Sequence, residues 1–272
     1  MARSWIEWGV PAYLPYVQPV LTDDALRSAQ RSLGLRLPKA YVAALREQNG
    51  GYLRYGFRGY AARDLWGIGP RFPSILKGSI AKRHVHDDGW VPRDADALVP
   101  FVGDGHWYLC FDVRKARRGE PQITYVDLEC ARTKKIADTF EQLVATMGPD
   151  DDDLIIGITT KAAMARTADQ LGKALRMTVT DQGDWAHGYP TLHGRAKEPG
   201  SLVQFWLTPN EVSRGFVRKE DPDYKSLVRL LPGKALRVPE HPDCKFLLEA
   251  NELSADALLD ACARAGLKAQ RL

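Results

Sequence analysis

Two short stretches gather side chains able to do chemistry. His84-Val85-His86-Asp87-Asp88 sets imidazoles at alternate positions, which share a face on a strand, and adds carboxylates that could complete a metal site. Asp104 and His106 could join from a nearby turn. Spacing fixes no third ligand, and a polar surface loop accounts for the same residues, so no metal is assigned. In the second stretch, His187 and His193 flank Gly188-Tyr189-Pro190-Thr191-Leu192, with Asp184 and Trp185 just before. Two imidazoles and a carboxylate could form an acid–base site, with Trp185 lining a pocket. A glycine-rich loop is the plainer reading. The chain holds no Gly-x-Ser-x-Gly, Walker A, dinucleotide fingerprint or His-Glu-x-x-His. Cys110, Cys130, Cys244 and Cys262 lie far apart without Cys-x-x-Cys spacing and read as small hydrophobes. No cofactor is implied.

A third grouping points to binding. Trp66, Trp90 and Trp107 lie in or beside turns, next to Asp64, Asp88 and Asp104. Large aromatics beside charges are the usual makings of an interface hot spot, although partial burial over a small core gives the same pattern. Asp64, Trp66, Trp90, Asp104 and Trp107 are the candidate partner-binding residues.

The elements that must position these groups are organised around Leu33 to Gly51. Thr22 is a good N-cap, with Asp23 and Asp24 complementing the helix dipole, and Leu26, Ala29 and Leu33 give a buried stripe. Gly34 supplies the positive φ that ends this helix. Pro38 suits the first turn of a second helix, Tyr41, Val42 and Leu45 mark one face of it, and Asn49-Gly50-Gly51 closes it through a left-handed cap. Before this, Pro11, Pro15 and Pro19 break up an arm that lays Trp5, Trp8, Tyr13 and Tyr16 onto the core. After it, Tyr52–Tyr60 and Asp64–Ile68 suit strands. Ile75–Asp96 is a loop with a short helix. Leu98–Val102, a Gly103-Asp104-Gly105 turn and Trp107–Val113 read as a hairpin. Gln122–Leu128 is a further strand, and Ile136, Phe140, Leu143, Val144 and Met147 predict a helix over Thr133–Gly148.

Leu33-Gly34, then Leu37-Pro38, then a helix ending in Asn49-Gly50-Gly51, resembles the signature of the SUKH superfamily. That superfamily includes fungal cell-wall-synthesis regulators and many bacterial immunity proteins. Val99-Pro100-Phe101 before the Gly-Asp-Gly turn, a strand ending in Phe111-Asp112, and Ile136-Ala137-Asp138-Thr139-Phe140-Glu141 are similar to the second half of the pattern. The resemblance spans about Thr22 to Met147. Gly34, Leu37, Pro38, Asn49, Gly50, Gly51, Asp112 and Phe140 are its structural positions. Many members carry a glutamate shortly before the Leu-Gly pair, where this chain has Gln30, Arg31 and Ser32.

Pro149-Asp150-Asp151-Asp152-Asp153 reads as an acidic linker, because its carboxylates lack the spacing of a calcium loop. The chain therefore divides into a SUKH-like domain at 1–148, a linker at 149–153 and a second domain at 154–272. In the second domain Thr160 suits an N-cap, with a helical stripe to Leu175. Met177–Thr180, Leu202–Leu207, Gly215–Arg218, Ser226–Leu231 and Phe246–Ala250 suit strands, and Asp181–Gly200 a long loop or irregular hairpin. Ser254 caps a last helix that ends at Gly266, before a final strand at Leu267–Leu272. The fold class is α+β: an antiparallel sheet flanked by helices, followed by a second small α+β domain.

The first 150 residues carry 21 basic and 17 acidic side chains, a surplus of four, and the remainder carry 17 of each. The one basic cluster, Arg114-Lys115-Ala116-Arg117-Arg118, reads as a solvated turn. This weak bias argues against direct nucleic-acid binding. Without a long apolar run or a signal-peptide pattern, the expectation is a cytoplasmic protein that does not bind a membrane. The resemblance implies a non-enzymatic immunity protein that binds and blocks a cognate toxin, often one that cleaves nucleic acid. The alternatives are a regulatory scaffold, as the fungal members imply, and a hydrolase with its site in the second domain. The oligomeric state is not fixed.

Overall fold

The computed structural model describes residues 6–60, 63–84, 89–114, 120–148, 154–184 and 186–272. Val85–Asp88, Lys115–Gly119, the acidic stretch Pro149–Asp153 and Trp185 lie outside the described residues. The chain divides into two compact units, Met1–Asp150 and Asp151–Leu272.

In the first unit, strand β1 (Ala12–Tyr13) leads into a 3-10 turn, followed by helices α1 (Asp23–Leu33) and α2 (Lys39–Glu47). Thr22 caps α1 by accepting the Ala25 N–H. Gly34, at φ 63° and ψ 25°, ends it as the sequence predicts. The Leu35 and Gly34 N–H groups return to the Gln30 and Arg31 carbonyls, a Schellman closure that needs a residue free to take positive φ. The end of α2 differs from the expected left-handed cap. Gln48 is extended (φ −143°, ψ 124°), and Gly50 and Gly51 follow at φ 92° and 124°. These glycines serve close approach: a Cβ on Gly50 would stand 2.7 Å from the Gly67 nitrogen.

Short strands β2 (Gly51–Tyr52) and β3 (Asp64–Leu65) pair, and helix α3 (Ile80–Arg83) follows. The expected strand over Tyr52–Tyr60 is thus only its first residue. Four antiparallel strands then form one sheet in sequence order: β4 (Leu98–Gly103), β5 (Trp107–Asp112), β6 (Gln122–Asp127) and β7 (Arg132–Ala137). β7 corrects the helix predicted from Thr133. Its residues pair with β6, and helix α4 (Phe140–Val144) begins only after Thr139, whose hydroxyl caps it. Tyr41 of α2 and Phe140 of α4 meet Phe101 and Phe111 of the sheet, with ring centroids 4.3–6.2 Å apart and all four fully buried. This aromatic quartet fixes the helices to one face.

In the second unit, β8 (Ile155–Thr159), α5 (Met164–Leu175), β9 (Met177–Asp181), β10 (Leu192–Ala196) and β11 (Gln204–Pro209) are followed by β12 (Glu211–Ser213), β13 (Gly215–Phe216), α6 (Tyr224–Leu227) and β14 (Lys234–Leu236). β15 (Phe246–Asn251), α7 (Ala255–Arg264) and β16 (Lys268–Arg271) complete it. A six-stranded antiparallel sheet in the order β16-β8-β15-β11-β10-β9 shares a core with α5 and α7. Two expectations change. Thr160 caps a turn, by accepting the Ala162 N–H, and α5 begins only at Met164. Ser226–Leu231 is not a strand, because the Ser226 and Leu227 N–H groups both return to the Asp223 carbonyl and wind the chain into α6.

Candidate functional site

The turn between β4 and β5 organises the surface on which most candidates lie. Asp104 Oδ1 accepts the His106 and Trp107 N–H groups at 2.9 and 3.1 Å, so the side chain holds the turn shut. The Leu128 N–H donates to the His106 carbonyl at 2.8 Å and ties this turn to the end of β6. At that end Asp127 Oδ1 accepts the Cys130 N–H at 2.8 Å.

Asp64 and Trp66 alternate on one face beside β4, and Trp66 Nε1 donates to Asp64 Oδ2 at 2.9 Å. Trp66 itself is only 3% exposed. Arg83 lies 4.6 Å from its ring and Tyr108 meets it edge-on. Trp66 is therefore a wall beneath the surface rather than a contact on it. Above it the Asp64 carboxyl is pushed up to about 6, by burial first and also by the nearby Asp104 carboxylate, against the lowering effect of the Trp66 hydrogen bond. Among the described residues no cation pairs with Asp64.

Trp107 is half-buried on the other face of β5, grouped with Tyr60 and Tyr125 at centroid distances of 5.4–6.4 Å. Trp90 is 40% exposed. It lines a hollow of about 180 Å³ with His84, His106, Leu128 and Glu129. His106 Nδ1 stands 2.8 Å from Glu129 Oε1, and His84 Nε2 stands 2.9 Å from the Tyr108 hydroxyl. The structure thus gathers Asp64, Asp104, Trp107 and Trp90 around one end of the sheet and places Trp66 under it. Tyr60, Tyr125 and Glu129 belong to the same end, and no sequence motif marks them. Their signal is cross-strand register, as in Trp107 opposite Asp127 and Leu109 opposite Tyr125, which sequence spacing does not contain. The described residues contain no group of three or more His, Cys, Asp or Glu able to hold a metal, and His86, Asp87 and Asp88 lie outside them.

A scan of family models matches residues 20–146 to the SMI1 / KNR4 family (SUKH-1). This stretch belongs to the SUKH superfamily. Members of that superfamily are generally immunity or regulatory proteins rather than enzymes. No curated protein matches the chain.

The SUKH signature residues act as scaffold. Asn49 is 3% exposed: its amide donates to the Pro19 and Ile68 carbonyls and accepts the Ile68 N–H at 2.8 Å. Gln30, in the region where many members have glutamate, accepts the Leu37 N–H at 2.9 Å and so clips the corner before Pro38. Asp112 is nearly buried. Burial alone would raise its carboxyl, but hydrogen bonds from Arg114 and Thr124 hold it below the usual carboxylate range. Pro38 is the N-cap of α2 and has no side chain to offer the free N–H groups. Glu120 and Glu141 face the Lys39 and Ala40 N–H groups instead, each at 3.4 Å. Beyond the SUKH unit, His193 stacks flat on Trp206, with Gln182 at Nδ1 and Gln204 at Nε2. His187 stacks on Tyr189. Among the described residues no hydrogen bond joins the two imidazoles or links either to Asp184. Nor is any described helix long and apolar enough to cross a membrane.

Proposed function

We propose that this chain is a non-enzymatic immunity protein that binds and neutralises a cognate bacterial toxin through the end of the SUKH sheet. Asp64, Asp104, Trp90 and Trp107 form the contact, and Trp66 supports it from below. The observation that carries this reading is the Asp64 carboxyl. Burial first, and then the nearby Asp104 carboxylate, raise it from its ordinary 3.8 to about 6, and among the described residues no cation pairs with it. Keeping it ionised near pH 8 costs the folded state on the order of 2–3 kcal/mol. A basic partner surface would remove that penalty on binding. Toxins that cleave nucleic acid carry basic surfaces for their substrate, so a nuclease fits the chemistry. The neighbouring aromatics supply the apolar anchors such an interface needs.

The test is co-purification with the product of the adjacent gene, followed by affinity measurements at low and high salt. Trp107→Ala and Trp90→Ala are expected to weaken binding at least tenfold each, the effect of losing about 2 kcal/mol at an anchor. Asp64→Asn should flatten the salt dependence. Trp66→Ala should lower stability instead. If both exposed variants bind as the wild type does, the interface lies elsewhere.

A further inference from the structure

The hollow beside Trp90 has the dimensions and charge of a socket for a single side chain. Its volume of about 180 Å³ is room for about six waters, below the range of small-molecule sites. Among its described lining residues there is one carboxylate, Glu129, and no lysine or arginine. Trp90 is 40% exposed, and among the described residues it makes no ring contact or hydrogen bond, so part of its indole is within a ligand's reach. Glu129 is 69% exposed and uses Oε1 towards His106, and a carboxylate has acceptor sites on both oxygens.

The His84 and His106 sides of the hollow are tied down within the fold. Asp104 holds the His106 N–H, the Leu128 N–H is bonded to the His106 carbonyl, and His84 is held against the Tyr108 hydroxyl. Binding would then order chiefly the exposed Trp90 and Glu129 side chains.

We propose that this hollow receives the guanidinium group of one arginine on the partner, stacked on Trp90 and hydrogen-bonded to Glu129. A planar, delocalised cation suits an indole face together with a carboxylate better than a compact, strongly hydrated ammonium does. The larger hollow by α1, lined by Arg27, Arg31 and Arg36, has the opposite sign and would repel the same group. The socket rests on the reading that this sheet end is a binding face, and it names the chemistry that one part of that face selects.

The experiment uses the full chain and N-acetyl-L-argininamide as the probe, following the Trp90 indole N–H by NMR. A saturable shift with a dissociation constant in the millimolar range is expected. The uncharged citrulline analogue and N-acetyl-L-lysinamide should bind at least about fivefold more weakly, and Glu129→Gln should weaken the argininamide to a similar degree. Trp90→Ala should abolish the remaining shifts of His84 and His106. The proposal is overturned by equal binding of citrulline or lysine analogues, by an unchanged Glu129→Gln variant, or by no saturable shift at all. The titration contains no toxin. Its failure therefore leaves neutralisation by the sheet end standing, whereas argininamide binding without capture of the adjacent gene's product would overturn only the toxin reading.

Discussion

Asn49 shows how a residue without reactive chemistry can govern the first unit. Its amide meets groups of Pro19 and Ile68, and its own carbonyl accepts the Gln18 N–H at 2.8 Å. Asn49→Ala would leave the Ile68 N–H and two carbonyls unsatisfied in a buried place. A loss of about 2–4 kcal/mol is expected by denaturant titration, and Asn49→Asp should not recover it at neutral pH, because a buried carboxylate oxygen would then face the Pro19 and Ile68 carbonyls. Asp64 makes a prediction of the opposite sign. Its folded value of about 6 lies above its ordinary 3.8, so the folded state holds the extra proton between these values and stability falls as pH rises through that window. Asp64→Asn keeps an acceptor for Trp66 Nε1 and removes the charge. It should match the wild type near pH 4 and exceed it by up to about 2–3 kcal/mol at pH 8, as seen in melts at the two pH values. A variant that is less stable at pH 8 would show that the carboxylate is not penalised. This placement was not legible in the sequence. The Asp-Leu-Trp alternation puts Asp64 and Trp66 on one face, but what buries Trp66 comes from Arg83 and Tyr108, which are distant in the chain.

At the scale of elements, some local signals act as their residue types demand and others, Thr160 among them, do not. Thr22, Gly34 and Ser254 cap or close their helices as their types demand, and the Gly103-Asp104-Gly105 turn closes its hairpin. Two of the elements that differ from expectation show why. Thr133–Ala137 shows helical spacing when read together with Phe140, yet β6 offers it a full row of backbone partners, and that non-local pairing wins. The start of α2 has no local cap, and its free N–H groups face Glu120 and Glu141 from far along the chain. Glu120 is raised by burial and then by Glu141, as expected for two carboxylates close together at one helix end. Thr139 gives the direct test of the corrected boundary. Thr139→Ala should cost about 1 kcal/mol in a chemical melt, since it removes the α4 cap, and Thr133→Ala should do much less. Equal effects at the two positions would favour the longer helix. Gly50→Val tests the other revision. With φ at 92° and a backbone nitrogen 2.7 Å from the added Cβ, a loss of at least about 2 kcal/mol is expected. Gly34 also has positive φ, but nothing stands within 4 Å of its Cβ, so Gly34→Ala should cost less.

For the whole molecule, the described residues include two large clusters of buried hydrophobic side chains. One runs from Ile6 to Met147 and the other from Ile156 to Leu267. Each has its own sheet and helices, and separate cores allow separate cooperative units. We propose that Pro149–Asp153 acts as a linker between two domains, with toxin binding carried by the first alone. Brief proteolysis should then cut first within that acidic stretch and leave a stable fragment close to residues 1–148. The purified fragment should keep the affinity of the full chain for the adjacent gene's product within about threefold, because its candidate contacts Asp64, Trp90, Asp104 and Trp107 all lie within it. It should also keep the argininamide titration at Trp90. A fragment that folds and takes up argininamide but has lost the toxin would move the main contact to residues 154–272. Digestion that removes both halves together would mean that the two cores unfold as one.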